Sequence, residues 1–148
     1  MKYDYYKEIT TYEDFEIYDF ISTGVKGDIA KRARFDFVEE PGTYNLAFGD
    51  LMEDGGIDDY SISDNKDMAK ILATIAVISK VFLDKSAGKT ISFRGSTAER
   101  TRLYRMAIGN NLDELLESFV IYGVQKGGTP GLFIRNKEYV AFLVEKKL

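Results

Sequence analysis

At Ser63-Asp64-Asn65 the apolar residues of this chain change their period from two to 3.6. That switch constrains the fold more than any other feature, because period two builds strands and period 3.6 builds helices. Before it, Ile29 to Glu39 alternates: Ala33, Phe35 and Phe37 are expected on one face, with Arg32, Arg34 and Asp36 on the other. That is the signature of a half-buried strand with one solvated side. Phe15 to Ser22, Tyr44 to Leu51 and Ile57 to Ser63 read as further strands, and a short one is expected near Tyr3 to Tyr6. Turns fall at Thr23 to Gly27, Glu40-Pro41-Gly42 and Glu53-Asp54-Gly55-Gly56, so the first half is an antiparallel meander.

After the switch, Met68, Ile71, Leu72, Ile75, Ile78 and Phe82 recur at helical spacing, with Asp64 or Asn65 as the N-cap and Ser86-Ala87-Gly88 as the end. Ile91 to Phe93 is a short apolar strand. Ser96 is expected to cap a second helix, Glu99 completing a capping box, with Leu103, Met106 and Ala107 turned inward. Leu112 to Ser118 continues it, Phe119 to Val124 is a strand apolar on both faces, and Leu132 to Ile134 with Tyr139 to Val144 finish the sheet. Two helices and several strands of this order predict an α+β fold: a single domain over 1–148 with a mixed, mostly antiparallel sheet.

Composition removes whole classes of chemistry. There is no Cys and no His, so thiolate sites, the usual zinc ligands and a Ser-His-Asp triad are excluded. The longest apolar run, Ile71 to Leu83, is too short for a bilayer. The first residues do not resemble a signal peptide, and a cytoplasmic location is expected. The net charge of −4 is unevenly spread: residues 1–64 hold 16 acidic and 6 basic side chains, residues 65–148 hold 8 and 14. Such a split marks either a docking face or two halves that neutralise each other.

The positive charge concentrates at one corner. A strand ending in Arg94-Gly95-Ser96-Thr97 and opening a helix points backbone N–H groups outward at the positive end of the helix dipole. Arg94, Ser96, Thr97, Arg100, Arg102, Tyr104 and Arg105 are therefore the candidate binding residues, for nucleic acid or another phosphate-bearing ligand. The acidic residues of 50–64, with Asp50, Glu53, Asp54, Asp58 and Asp59, form a second candidate surface, for a basic protein partner. Their spacing matches no EF-hand, and no metal is expected. No nucleotide-binding fingerprint occurs, and no cofactor is expected.

Tyr44-Asn-Leu-Ala-Phe-Gly-Asp50, Asp58-Asp59, Leu72-Ala-Thr-Ile-Ala76, Arg94-Gly-Ser-Thr-Ala-Glu-Arg-Thr-Arg-Leu-Tyr-Arg105 and Tyr139-Val-Ala-Phe-Leu-Val144 together resemble an uncharacterised family of small bacterial proteins, of Bacteroidetes type. The element order also resembles the GNAT acyltransferase fold, and Leu103-Tyr104 is similar to a Leu-Tyr pair in that fold's last helix. The loop Ser61 to Asp67 departs from it: it has no glycine where those enzymes carry a pyrophosphate-binding turn. What the resemblances imply is a GNAT-like scaffold without acetyl-CoA, in a setting such as a toxin–antitoxin or phage-defence system. Three functions stand side by side: a binding protein using the arginine corner, an antitoxin- or immunity-like interaction module, and an RNase-like or acyltransferase enzyme with Tyr104 or Glu99 moving protons.

Overall fold

Alternation decides the first half of the molecule. The computed structural model describes residues 4–38, 40–58, 65–85 and 88–148. Within them, β1 (Thr10–Tyr12), β2 (Ile17–Gly24), β3 (Gly27–Phe37), β4 (Thr43–Leu51) and β5 (Ile57–Asp58) form an antiparallel run. Tyr18 and Phe20 of β2 and Ala33 and Phe35 of β3 lie on the buried face, while Asp19, Arg32 and Arg34 alternate onto the other. The ion pairs Arg32–Asp19 and Arg34–Asp36 hold that outer face together. Basic side chains of the acidic half are thus neutralised by its own carboxylates.

α1 (Met68–Asp84) buries Ile71, Ile75, Ile78 and Phe82 against this sheet. Each such side chain contributes roughly 1.5–3 kcal/mol on removal from water. Phe82 stacks on Phe35 with ring centroids 4.0 Å apart. Thr74 inside the helix ties down the segment at Tyr6: its hydroxyl donates to the Lys70 carbonyl and accepts from the Tyr6 N–H.

The start of α1 is built differently from the sequence expectation. The N-cap position belongs to Asp67, whose side chain makes no capping bond. Its carboxylate instead accepts from the Tyr6 and Ser22 hydroxyls, both at 2.5 Å. Asn65, 2% exposed, accepts from the Lys26 N–H and donates to Ser22 Oγ and the Gly27 carbonyl. It therefore clamps the β2–β3 turn to the helix start instead of capping. The alternative cap, Asp64, lies outside the described residues, as do most of the expected strand Ile57 to Ser63 and the Ser86-Ala87 helix end.

After α1 come β6 (Thr90–Phe93), α2 (Ala98–Asn110), α3 (Leu112–Leu115), β7 (Phe119–Val124), β8 (Gly131–Leu132) and β9 (Ala141–Lys146). The sheet order is β1-β2-β3-β4-β6-β9-β7-β8, with β5 beside β4. All pairs are antiparallel except β4 with β6, which α1 joins as a crossover. Among the described residues this open, mixed sheet of nine strands with three helices is the α+β architecture expected. Ile91, Phe119, Ile121, Phe142 and Val144 extend the buried face beneath the helices. Gly123 belongs to that face for a packing reason, because a Cβ there would lie 2.3 Å from the Tyr139 ring.

Four expectations need correction. Of the strand expected near Tyr3 to Tyr6, Tyr3 lies outside the described residues; residues 4–9 form no strand, and the first described strand starts at Thr10. Phe15 sits in a turn with Glu13 and Asp14, all three at positive φ, and β2 begins at Ile17. Phe37 ends its strand 62% exposed, where the helices no longer cover the sheet. In α2 the buried residues are Thr101, Tyr104 and Ile108, whereas Leu103 and Met106 are exposed.

One buried group makes a pH prediction. Tyr18 is 1% exposed, packs edge-on to Phe35, and its hydroxyl has no partner among the described residues. Burial pushes its pKa from 10.0 up to about 12. Raising an acid's folded pKa above its unfolded value stabilises the folded state below the unfolded pKa, and that advantage is lost as pH climbs through the folded one. Stability should therefore fall between about pH 10 and 12 in urea titrations. Tyr18→Phe should flatten the fall and be at least as stable at pH 7, since it removes an unsatisfied hydroxyl. An unchanged alkaline slope in Tyr18→Phe would assign the loss to other groups.

Candidate functional site

The Arg-Gly-Ser-Thr corner closes largely on itself. Thr97, not Ser96, is the N-cap of α2, and its side chain accepts from the Arg100 N–H. The cap is shifted by one residue from the expected Ser96, so Arg100 and not Glu99 stands at the third helical position, where a capping box needs its carboxylate. The Gly95 N–H donates to Thr101 Oγ1 at 3.0 Å, and that hydroxyl bonds back to the Thr97 carbonyl. A Cβ on Gly95 would lie 2.5 Å from both Arg100 Cβ and the Thr101 nitrogen. The glycine is thus required by the close approach of the helix, and two of the corner's backbone donors serve the corner itself.

The corner forms one wall of a cleft. Among the described residues β4 and β6 pair at only three positions: Thr43 with Thr90, Tyr44 with Ile91, and Asn45 with Ser92. Beyond these the strands part, and the opening is a cavity of about 620 Å³. Asp36, Asn45 and Ser92 stand on one side of it, Arg94 and Ser96 at the corner, and Phe48, Phe93 and Tyr104 on its apolar floor. The Phe48 and Tyr104 rings lie 5.4 Å apart, the Phe93 and Tyr104 rings 6.1 Å. An aromatic floor with a few polar groups at the edge is the usual make-up of a small-molecule site.

The seven candidate residues do not converge on one point. Arg94, Ser96 and Tyr104 meet in the cleft. Tyr104 is only 6% exposed, so its ring packs in the core and is not displayed for stacking on a base. Arg100 turns away with Tyr104 into a second cavity of about 90 Å³. Arg102 is exposed, and Arg105 reaches the Lys137 carbonyl at 3.5 Å. Thr97 is spent on the cap.

Two features escaped the sequence. The first is the second cavity, where Lys31, Asp50, Asp58, Asp67 and Arg100 gather. Lys31 is 7% exposed and ion-paired with its cross-strand neighbour Asp50. Lys31 continues the inward series of Ala33 and Phe35, two residues earlier, so alternation alone places it inside. Asp50 therefore belongs to this interior pair, and not to a free acidic surface. Asp54 is bonded to the Gly56 N–H, and Asp59 and Asp64 lie outside the described residues. Asp67 Oδ1 faces no partner among the described residues. No cluster of three or more His, Cys, Asp or Glu among them is placed to hold a metal.

The second is an apolar groove of about 300 Å³ between α1 and α2. Met68, Leu103 and Met106, at 41, 39 and 48% exposure, line it near solvent, and Leu46, Phe48, Phe93 and Tyr104 lie deeper. The apolar residues of α2 that sequence reasoning turned into the core line this groove instead.

The pattern of a family of unknown function, DUF6934, matches residues 2–147. The chain belongs to this family. No curated protein matches it, and no solved structure does. The DUF6934 match covers every strand and helix described, so cleft, charged cavity and groove all lie within it. No described helix of this DUF6934 chain is long and apolar enough to cross a membrane.

Proposed function

We propose that the protein binds a small phosphate-bearing ligand in the cleft between β4 and β6. The observation that carries this reading is the parting of the two parallel strands after Asn45 and Ser92, which opens a cavity beside Arg94 and Ser96. Arg94 supplies a guanidinium whose fork matches phosphate oxygens. Ser96 stands next to it, and Phe48, Phe93 and Tyr104 supply an apolar floor for the rest of the ligand. A small ligand fits better than a nucleic acid, because a polyanion needs many cations along one track. Arg94, Arg100, Arg102 and Arg105 point to the cleft, the inner cavity, solvent and the Lys137 loop in turn.

Acyl transfer on a GNAT-like scaffold is the second reading, favoured by one observation. Tyr104, of the Leu103-Tyr104 pair, lines the cleft floor, where a phenol can donate a proton to a leaving group.

Calorimetric titration with inorganic phosphate, adenosine monophosphate and acetyl-CoA tests both. Arg94→Ala should weaken phosphate binding by roughly 10- to 100-fold, the range for a lost hydrogen bond to a charged group. Arg102→Ala should leave it unchanged. Phosphate binding that is absent, or indifferent to Arg94→Ala, would refute the cleft. Acetyl-CoA that binds no tighter than adenosine monophosphate would remove the acyl-transfer reading.

A further inference from the structure

The apolar groove and the polar cleft share a wall. Leu46, Phe48, Phe93 and Tyr104 line both. The cleft reaches these residues through the gap between β4 and β6, and the groove reaches them from between the helices. Arg94 lines the cleft, and Met68, Leu103 and Met106 line the groove. The cleft is polar, with Arg94 and Asp36 in its lining, whereas the groove is mainly apolar, with Ser79, Asn110 and Asn111 as its polar residues.

From that gradient we infer that the ligand is an amphiphile: an anionic head held at Arg94 and Ser96, and an unbranched apolar chain running past Tyr104 into the α1–α2 groove. The inference rests on the proposed anion site and adds the class of ligand to it. Its polarity follows the lining, since an anion in the groove would lose its hydration and meet no cationic side chain there. The groove's volume of about 300 Å³ is roughly ten water-sized volumes, enough for a chain of about eight carbons. Methionines suit such an occupant, because the unbranched thioether adapts to a chain of variable path. Ala73, Ala76 and Ala107 line the same groove and keep it open: larger side chains there would fill the space between the helices.

The test is a titration series with inorganic phosphate, butyl phosphate, hexyl phosphate and octyl phosphate, with octan-1-ol as the chain lacking a head. Affinity should rise roughly fourfold per methylene along the series, as burial of apolar chain predicts. Octyl phosphate should bind more tightly than either phosphate or octan-1-ol alone. Ala76→Phe should abolish the dependence on chain length while leaving inorganic phosphate affinity unchanged. Ala107→Leu, a milder filling of the same groove, should shorten the optimal chain and guards against a misfolded first variant. Arg94→Ala should lower the affinity of every phosphate and leave octan-1-ol unaffected.

A flat series with intact phosphate binding would overturn the tail site while sparing the head site. Chain-length dependence that survives both groove variants would place the chain elsewhere and overturn the inference. So would a dimer by sedimentation that Ala76→Phe dissociates, because the groove would then be covered by a second copy of the chain. No phosphate binding at all would remove the head site, and the amphiphile with it.

Discussion

Asp50→Ala is expected to lower the unfolding free energy by about 3 kcal/mol, measured as a shift in urea midpoint at constant m-value. Removing the carboxylate leaves the Lys31 ammonium buried on the helix-covered face, beside Phe20 and Ile71, with Asp58 and Asp67 as the remaining carboxylates of the same cavity, which holds the cost to the low end of the general range. Breaking such a pair costs 3–5 kcal/mol in general, because the surviving charge is uncompensated. The lower end applies here, since the Asp50 side chain keeps 23% of its exposure and solvent can reach the vacated position. Replacing both partners by apolar residues of similar size, Lys31→Met with Asp50→Leu, should recover most of the loss. A loss below 1 kcal/mol in Asp50→Ala would mean that Lys31 extends its amine to solvent, and the pair would count as peripheral.

Phe142→Ala should be the most damaging single truncation, at about 3–5 kcal/mol. Its ring is fully buried, with Phe93, Tyr139 and Phe133 centroids 5.2, 6.1 and 6.2 Å away. The hole left behind cannot be filled by its neighbours without moving a strand, so loss of burial and the cavity both count. The melting temperature should fall by roughly 10 °C for a chain of this length. The same variant should weaken ligand binding, because Phe93, part of the cleft floor, packs on Phe142. A melting point within 2 °C of the parent would contradict this account of the core.

The fold was legible where residues report on their immediate neighbours. Alternation in β2 to β4 and the 3.6 spacing from Met68 to Phe82 sufficed for the α+β class and the order of elements. The misreadings have local causes. Ser96 and Thr97 are both good caps, and Thr97 takes the position by accepting from the Arg100 N–H, while the Gly95 N–H donates to Thr101 Oγ1. Leu103 and Met106 are more apolar than Tyr104, yet the amphipathic tyrosine takes the core position because Phe48 and Phe93 flank it. Gly95 reads in sequence as an anion-binding turn; in space it is first the point where a helix touches a strand. Sequence pointed to Arg94, Ser96 and Tyr104, which line the cleft, but not to the opening itself. It depends on where two strands more than forty residues apart stop pairing, and no short window holds that information. The Lys31–Asp50 pair, by contrast, was within reach: continuing the inward alternation by two residues would have found it.

Three residue pairs are all that stitch the β1–β5 block to the β6–β9 block among the described residues. Such a seam bears little mechanical load, and the splint across it is α1. Phe82 grips Phe35 and Tyr44 on one side, while the same helix lies against β9 on the other. Stiffness is therefore concentrated near the Thr43–Thr90 end, and it slackens toward Phe48 and Arg94, like a pair of tongs hinged at the closed end. An object held between the tips would be gripped by elasticity of the sheet itself, without a moving loop.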